Sequence, residues 1–456
     1  MRSLKSAASL LAGASTLDAL APLADTIGFR GAPLPLDRDA RAALGLVDMC
    51  EDARIIAGAG TLRALLIECP AHTLIRDAVA TIAARLTARV PQLLWLLLAT
   101  QRGGTQLAVA AWSPERSRPR VAALIVDRVH VVASDLETLG ALASVSESAD
   151  VLTHAYWFDV LGRDALTRRF YRALEGVVAE LAREARGGGS AAERQELALL
   201  YVSRLLFLSF LESKGWLDGD HRFLEHSFAR CMEGGGNYHQ RVLLPLFFGT
   251  LNTPRRHRAR AARAFGRVPF LNGGLFAPTA RERRWRDLRF RDETLGLVFG
   301  ELLGRYRFTA REESTSWSEA AIDPEMLGKA FESLMASRER RASGAFYTPQ
   351  ILVASVTRAA LMDALVDARV SAPQLESALR GDPVNARVAR TLRQRVGSLR
   401  VLDPACGSGA FLVHVLEELA ALLHRLGDGR PIATLRRERL TRSIFGVDDE
   451  APATVG

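Results

Sequence analysis

The chain has 456 residues, 48% of them hydrophobic and 24% charged, with a formal net charge of +9. That length suggests about three domains and does not limit core size, and the composition is that of a globular protein rather than a disordered or collagen-like one. No run of about 18 apolar residues occurs, so no membrane span is expected.

The opening Met1-Arg2-Ser3-Leu4-Lys5 precedes a short apolar stretch broken by Ser9, Ser15 and Asp18, which reads as an N-terminal helix rather than a signal peptide. Ala64 to Ile67 and Leu93 to Leu98 are apolar runs of strand length, separated by helical spacing from Ile75 to Val90. Val121 to Val126 and Val129 to Val132 read as a further strand pair. Residues 1–150 are therefore expected to form a small α/β domain. Glu68-Cys69-Pro70 ends one strand with a carboxylate but without a following lysine, so a metal-dependent cleavage site is not supported. Cys50, Cys69, Cys231 and Cys406 are scattered and no C-x-x-C occurs. Neither a zinc site nor a disulfide framework is indicated, and a reducing cytoplasm fits.

From about Trp157 the chain is mostly helical. Gly187-Gly188-Gly189 breaks it, and Ser190 with Glu193 fits a capping box that opens a helix running to Ser213. The aromatic stripe from Arg204 to Leu217, which includes Trp216, is expected to be core. Between Thr253 and Arg289, eleven arginines face only Glu282 and Asp287. This local excess equals the net charge of the whole chain. Such a stretch is either a solvated Arg-rich surface or a footprint for phosphate-backbone contact, with Arg255, Arg256, Arg258 and Arg260 the candidate DNA contacts. Asn272-Gly273-Gly274-Leu275-Phe276 is a tight turn. Asp323 with Pro324 opens a helix, and Gly344-Ala345-Phe346-Tyr347-Thr348-Pro349 precedes another, Ile351 to Leu365.

Residues Val366 to Val396 read as a helical, Arg-rich spacer. Leu399 to Leu402 is then expected to be a buried strand ending at Asp403-Pro404. A small-residue turn, Ala405-Cys406-Gly407-Ser408-Gly409, leads into a helix with Phe411, Leu412, Val415, Leu416 and Leu419 on one face. Strand, glycine-rich turn and helix make a nucleotide-binding corner, in which the helix start offers N–H groups and Asp403 sits at the strand's carboxyl end. It is not the dinucleotide fingerprint, because no third glycine follows. Ser443 to Asp448 reads as a second strand ending in an acid able to hold ribose hydroxyls.

Asp403-Pro404-Ala405-Cys406-Gly407-Ser408-Gly409-Ala410-Phe411-Leu412 resembles motif I of adenine-specific DNA methyltransferases. Gly344 to Pro349 resembles their motif X, and Gly446-Val447-Asp448 their motif II, although Asp449 stands where an apolar residue is usual. The Arg204–Leu217 and Asn272–Phe276 stretches resemble segments of large single-chain restriction–modification methylases. The resemblance implies a helix-rich α/β chain: residues 1–150 a small domain with a degenerate nuclease-like character, 151–315 a helical connector, and 316–456 the start of a Rossmann-like methyltransferase domain with an incomplete sheet. It implies S-adenosylmethionine as cofactor, held by Tyr347, Thr348, Asp403, Ala405, Gly407, Gly409 and Asp448, and double-stranded DNA as partner. The aromatic-ended motif [DNS]-P-P-[YFW] that holds a flipped adenine is absent, since no Pro-Pro occurs. No catalytic residue is therefore assigned. The expectation is a fragment, from a truncated gene, a split gene or a partial prediction, with a second polypeptide as one source of the remaining strands and of target recognition. A methyltransferase with another substrate, or a non-catalytic DNA-binding protein, are the alternatives.

Overall fold

The computed structural model describes residues 2–113, 119–144, 149–162, 164–271, 274–309, 317–324, 326–327, 350–406 and 409–447. The chain is a helix-rich α/β protein that divides into two compact units. One comprises Met1–Phe270 with Pro278–Ala330, the other Leu271–Ala277 with Phe331–Gly456.

The first unit is built on a seven-stranded sheet in sequential order. Its strands are β1 (Leu34–Pro35), β2 (Ala53–Ala57), β3 (Leu62–Cys69), β4 (Leu94–Gln101), β5 (Gln106–Trp112), β6 (Val121–Asp127) and β7 (Trp317–Glu319). Neighbours are antiparallel except β3–β4 and β6–β7. Ala64–Ile67 of β3 and Leu94–Ala99 of β4 read as unbroken apolar runs because both faces of the sheet are covered. Ala64, Leu66, Leu96 and Leu98 pack under the helices Leu17–Ile27 and Asp150–Leu161. Leu65, Ile67, Leu97 and Ala99 alternate to the other face, against Val79, Ile82 and Leu86 of the helix Ile75–Arg89.

The strand pairing expected between Val121–Val126 and Val129–Val132 does not form. β6 pairs with β5, and Val129 lies in a turn, 81% exposed, before the helix Ala133–Ala143. The reversal stops at a single bridge between Asp127 and His130, and the Ser134 N–H donates to Arg305 O instead of the chain returning along β6. The seventh strand was not expected from sequence: Trp317, Ser318 and Glu319 run parallel to Val121, Ala122 and Ala123. Arg76 stacks over the Trp317 ring at 4.5 Å and lies 3.9 Å from Glu319.

The helices Asp164–Arg183 and Ala191–Ser213 follow. The capping box is present: the Glu193 N–H donates to Ser190 Oγ at 3.3 Å, and the Ser190 N–H to Glu193 Oε2 at 2.9 Å. Gly215, at φ +68°, closes the helix. Leu205, Leu206, Leu208 and Phe210 are core, as the stripe predicts, but Trp216 is 59% exposed. The loop turns there, and the buried residue is the neighbouring Leu217, which is 0% exposed.

The second unit holds two parallel strands, β8 (Val401–Asp403) and β9 (Ile444–Gly446). The helices Ala410–Arg425 and Ile432–Arg442 join them, the opening pattern of a Rossmann-like sheet. The helices Gln350–Leu365, Ala372–Arg380 and Ala386–Ser398 precede them. Val401 and Ile444 pack on the core around Leu392, Val396, Leu419 and Leu423. The other face is bare: Leu402 is 63% and its partner Phe445 45% exposed. The expectation of a buried strand fails there, because two strands with helices on one side leave half their side chains facing water.

Candidate functional site

The described residues on either side of the turn after β8 hold several main-chain contacts. Asp403 Oδ1 accepts from the Ala405 N–H at 3.1 Å, which folds the chain sharply off the strand. The main chain extends the ladder past the strand ends. The Val447 N–H donates to Asp403 O and the Cys406 N–H to Val447 O, each at 2.9 Å. The Gly409 N–H donates to Cys406 O at 2.7 Å.

Gly409 then caps the helix Ala410–Arg425 at φ +79°, a conformation that disfavours any side chain. Among the described residues, and apart from its chain neighbours and its own helix, no atom lies within 4 Å of where its Cβ would stand. Gly446 is held by packing instead: a Cβ there would lie 2.8 Å from Leu412 Cδ1 and 2.9 Å from Cys406 Sγ. The result is a helix N-terminus whose first N–H groups lack intrahelical partners, beside a carboxylate at a strand end. Asp403 Oδ2 has no partner among the described residues. Amides suit an anionic group and a carboxylate suits a hydroxyl or ammonium, so these residues fit a nucleoside–amino acid cofactor.

Of the residues that the sequence singles out here, Asp403, Ala405 and Gly409 come together at this turn. Gly407, Asp448, Tyr347, Thr348, Asn272 and Gly273 lie outside the described residues. Asp323 acts as the N-cap its position suggests, its Oδ1 accepting from the Met326 N–H at 2.8 Å.

The Arg-rich stretch separates into two kinds of arginine. Arg255, Arg256 and Arg260 are exposed, with no ion-pair partner among the described residues. Arg258 is 3% exposed and structural. Its guanidinium donates to Thr253 O at 3.0 Å, Val268 O at 2.8 Å and Pro269 O at 3.0 Å. Burial holds its pKa below the usual arginine value. It does not present a cation to a ligand.

Farther along, Glu282 accepts from buried Arg204, Nη1 to Oε1 at 2.5 Å and Nη2 to Oε2 at 3.0 Å. That pair fixes the short helix Ala280–Arg284 against the helix Ala191–Ser213. Sequence reasoning missed the pair, because nothing in the spacing of Arg204 and Glu282 signals it.

Glu68 accepts from Arg102 Nε at 2.9 Å, and Arg102 Nη1 bridges to Glu51 at 2.9 Å. It is a strand-end ion pair. No group of three or more metal-ligating side chains occurs among the described residues. No helix of the described residues is long and apolar enough to cross a membrane.

No family model matches the sequence. The chain is 28% identical over 291 residues to a putative type II restriction enzyme and methyltransferase of Methanocaldococcus jannaschii, a match covering 58% of this chain and 24% of that protein. It is 26% identical over 230 residues to DNA methyltransferase A of Bacillus subtilis, covering 48% and 21%. The matches thus span under a quarter of the length of these curated relatives. Among solved structures it resembles the type IIL restriction–modification enzyme MmeI in complex with DNA, at 21% identity and a TM-score of 0.37, over 63% of this chain and 34% of that one.

Proposed function

We propose that this chain is the cofactor-binding part of an adenine-specific DNA methyltransferase of a restriction–modification system, acting in the cytoplasm. The observation that carries it is the Asp403–Gly409 turn, where a strand-end carboxylate, a positive-φ glycine and a helix N-terminus converge. The likeness to two DNA methyltransferases, one of them a restriction enzyme as well, supports the same reading.

On this reading S-adenosylmethionine, when bound, supplies a methyl group on a positively charged sulfur for attack by an exocyclic adenine nitrogen. The chain's own residues bind and orient. Gly407 and Gly409 let the main chain approach the cofactor, and Asp403 accepts a hydrogen bond from it. Ala405 keeps the turn small. Asp448 accepts from the ribose, and Tyr347 and Thr348 wall the methionine end. The exposed arginines hold the duplex. No Pro-Pro pair of the kind that grips a flipped adenine occurs among these 456 residues, so the role assigned to them is cofactor and duplex binding.

Calorimetric titration with S-adenosylmethionine tests the first half. The parent chain binds, and Asp403→Ala or Gly409→Val abolishes the heat. Undiminished binding by both variants overturns the assignment of the pocket. Transfer of labelled methyl to DNA tests the second half, with no turnover expected from these 456 residues alone.

A further inference from the structure

Trp216 is out of keeping with its surroundings. Of the six tryptophans, Trp95, Trp112, Trp157 and Trp317 are buried. Trp285 is half-buried, with its indole N–H donating to Glu193 at 2.9 Å. Trp216 alone is mostly exposed, at 59%. Burial of Leu217 and the left-handed turn at Gly215 aim the chain so that the indole faces outward.

The loop that carries it is stitched to the basic stretch. The Asp218 N–H donates to Arg267 O at 3.3 Å, and the Arg267 N–H to Asp218 Oδ1 at 2.8 Å. The rings of Phe223 and Phe265 lie 6.4 Å apart. Between Thr253 and Phe270 there are six arginines and no acidic residue. A large aromatic is thus left in water on a loop joined to the basic stretch, at the cost of the burial it would otherwise gain. Nucleic-acid surfaces combine the same two elements, cations for the phosphates and a flat ring for a base or sugar.

We propose that Trp216 and the exposed arginines Arg255, Arg256 and Arg260 form one DNA-binding surface, with the indole packing on a deoxyribose face beside the phosphates that the arginines hold. The inference rests on the reading that the Arg-rich stretch binds DNA. It adds a contact that is insensitive to salt.

The test uses the full chain and a labelled 30-base-pair duplex, reading anisotropy and tryptophan fluorescence together. Binding by the parent quenches fluorescence in step with anisotropy. Trp216→Ala weakens binding about tenfold, the loss of part of one aromatic side chain's apolar contact, but keeps the salt slope, because an indole releases no counterion. Trp216→Phe recovers most of the affinity. Replacing Arg255, Arg256 and Arg260 by Gln lowers the slope. Trp216→Ala binding like the parent overturns the proposal, and so does Trp216→Phe being as weak as Trp216→Ala. If the arginine variant also binds with an unchanged slope, the underlying DNA-surface reading fails. The urea midpoint of each variant separates a lost contact from a lost fold.

Discussion

Arg204→Leu tests how the basic stretch is held. Arg204 is 0% exposed and the Glu282 side chain 6%. Besides Arg204, Glu282 accepts from the Thr279 N–H at 2.8 Å and the Thr279 hydroxyl at 3.0 Å. The substitution therefore strips a buried carboxylate of its counter-charge. Breaking a buried pair by removing one partner costs about 3–5 kcal/mol. The rings of Tyr201, Phe247 and Phe248, each within 5.5 Å of the guanidinium carbon, lose a cation as well. Neutralising the orphan should recover part of the loss, so Arg204→Leu with Glu282→Gln is expected to regain about 2 kcal/mol. The Gln retains an oxygen for the Thr279 bonds. Urea unfolding of both variants, followed by tryptophan fluorescence, measures this. A loss below about 1 kcal/mol for the single variant, or a double variant no more stable than the single one, refutes the view of this pair as a fully desolvated anchor.

Arg258→Met should destabilise the fold by about 2–4 kcal/mol from three lost charge-assisted bonds, read as a lower urea midpoint, whereas Gln at Arg255, Arg256 or Arg260 should leave the midpoint unchanged. Gly446→Val should disorder the turn after β8, seen as lost amide protection at Cys406 and Val447, since its side chain would enter the space of Leu412 and Cys406. Glu212→Gln should alter the pH dependence of stability. Burial pushes the Glu212 carboxyl up to about 8 from a usual value of 4.5, so the folded state keeps a proton that the unfolded state releases. Parent stability should fall as pH rises from about 4.5 to about 8. The variant, which still accepts from the Leu224 N–H, should match the parent below that window and exceed it above, as urea midpoints across pH would show. Amides from Ser398 to Val447 should exchange faster than those of β3 and β4, because β8 and β9 have a bare face. Equal protection by mass spectrometry would contradict that.

Much of this was legible where local chemistry decides the structure. Ser190 and Glu193 announce a helix start, and the spacing from Ile75 sets a helix that ends at Arg89. The turn after Asp403 is likewise written in its small residues. Legibility ends where distant partners decide. β5 reads Gln-Leu-Ala-Val-Ala-Ala-Trp, whose alanines carry little strand preference; the neighbours β4 and β6 make it a strand. Arg258 looks like its exposed neighbours, and only the carbonyls of Val268 and Pro269 make it internal. Trp216 continues an aromatic stripe in sequence but lies beyond the end of the helix that would have buried it.

The seventh strand has a consequence for synthesis. Trp317 pairs with Val121, and nearly all of the helical connector lies between them. Arg307 binds Asp135 and donates to His130 O at 2.9 Å, and Tyr171 donates to Met326 O at 3.0 Å, so the same late segment clasps the early one several times over. Closing so long a loop costs conformational entropy that local contacts do not repay. On the ribosome, β1 to β6 emerge first and wait with the outer edge of β6 unpaired while the connector is made. The six arginines between Thr253 and Phe270 are thus made between two parts of one compact unit, and the N-terminal sheet is among the last parts of that unit to be finished.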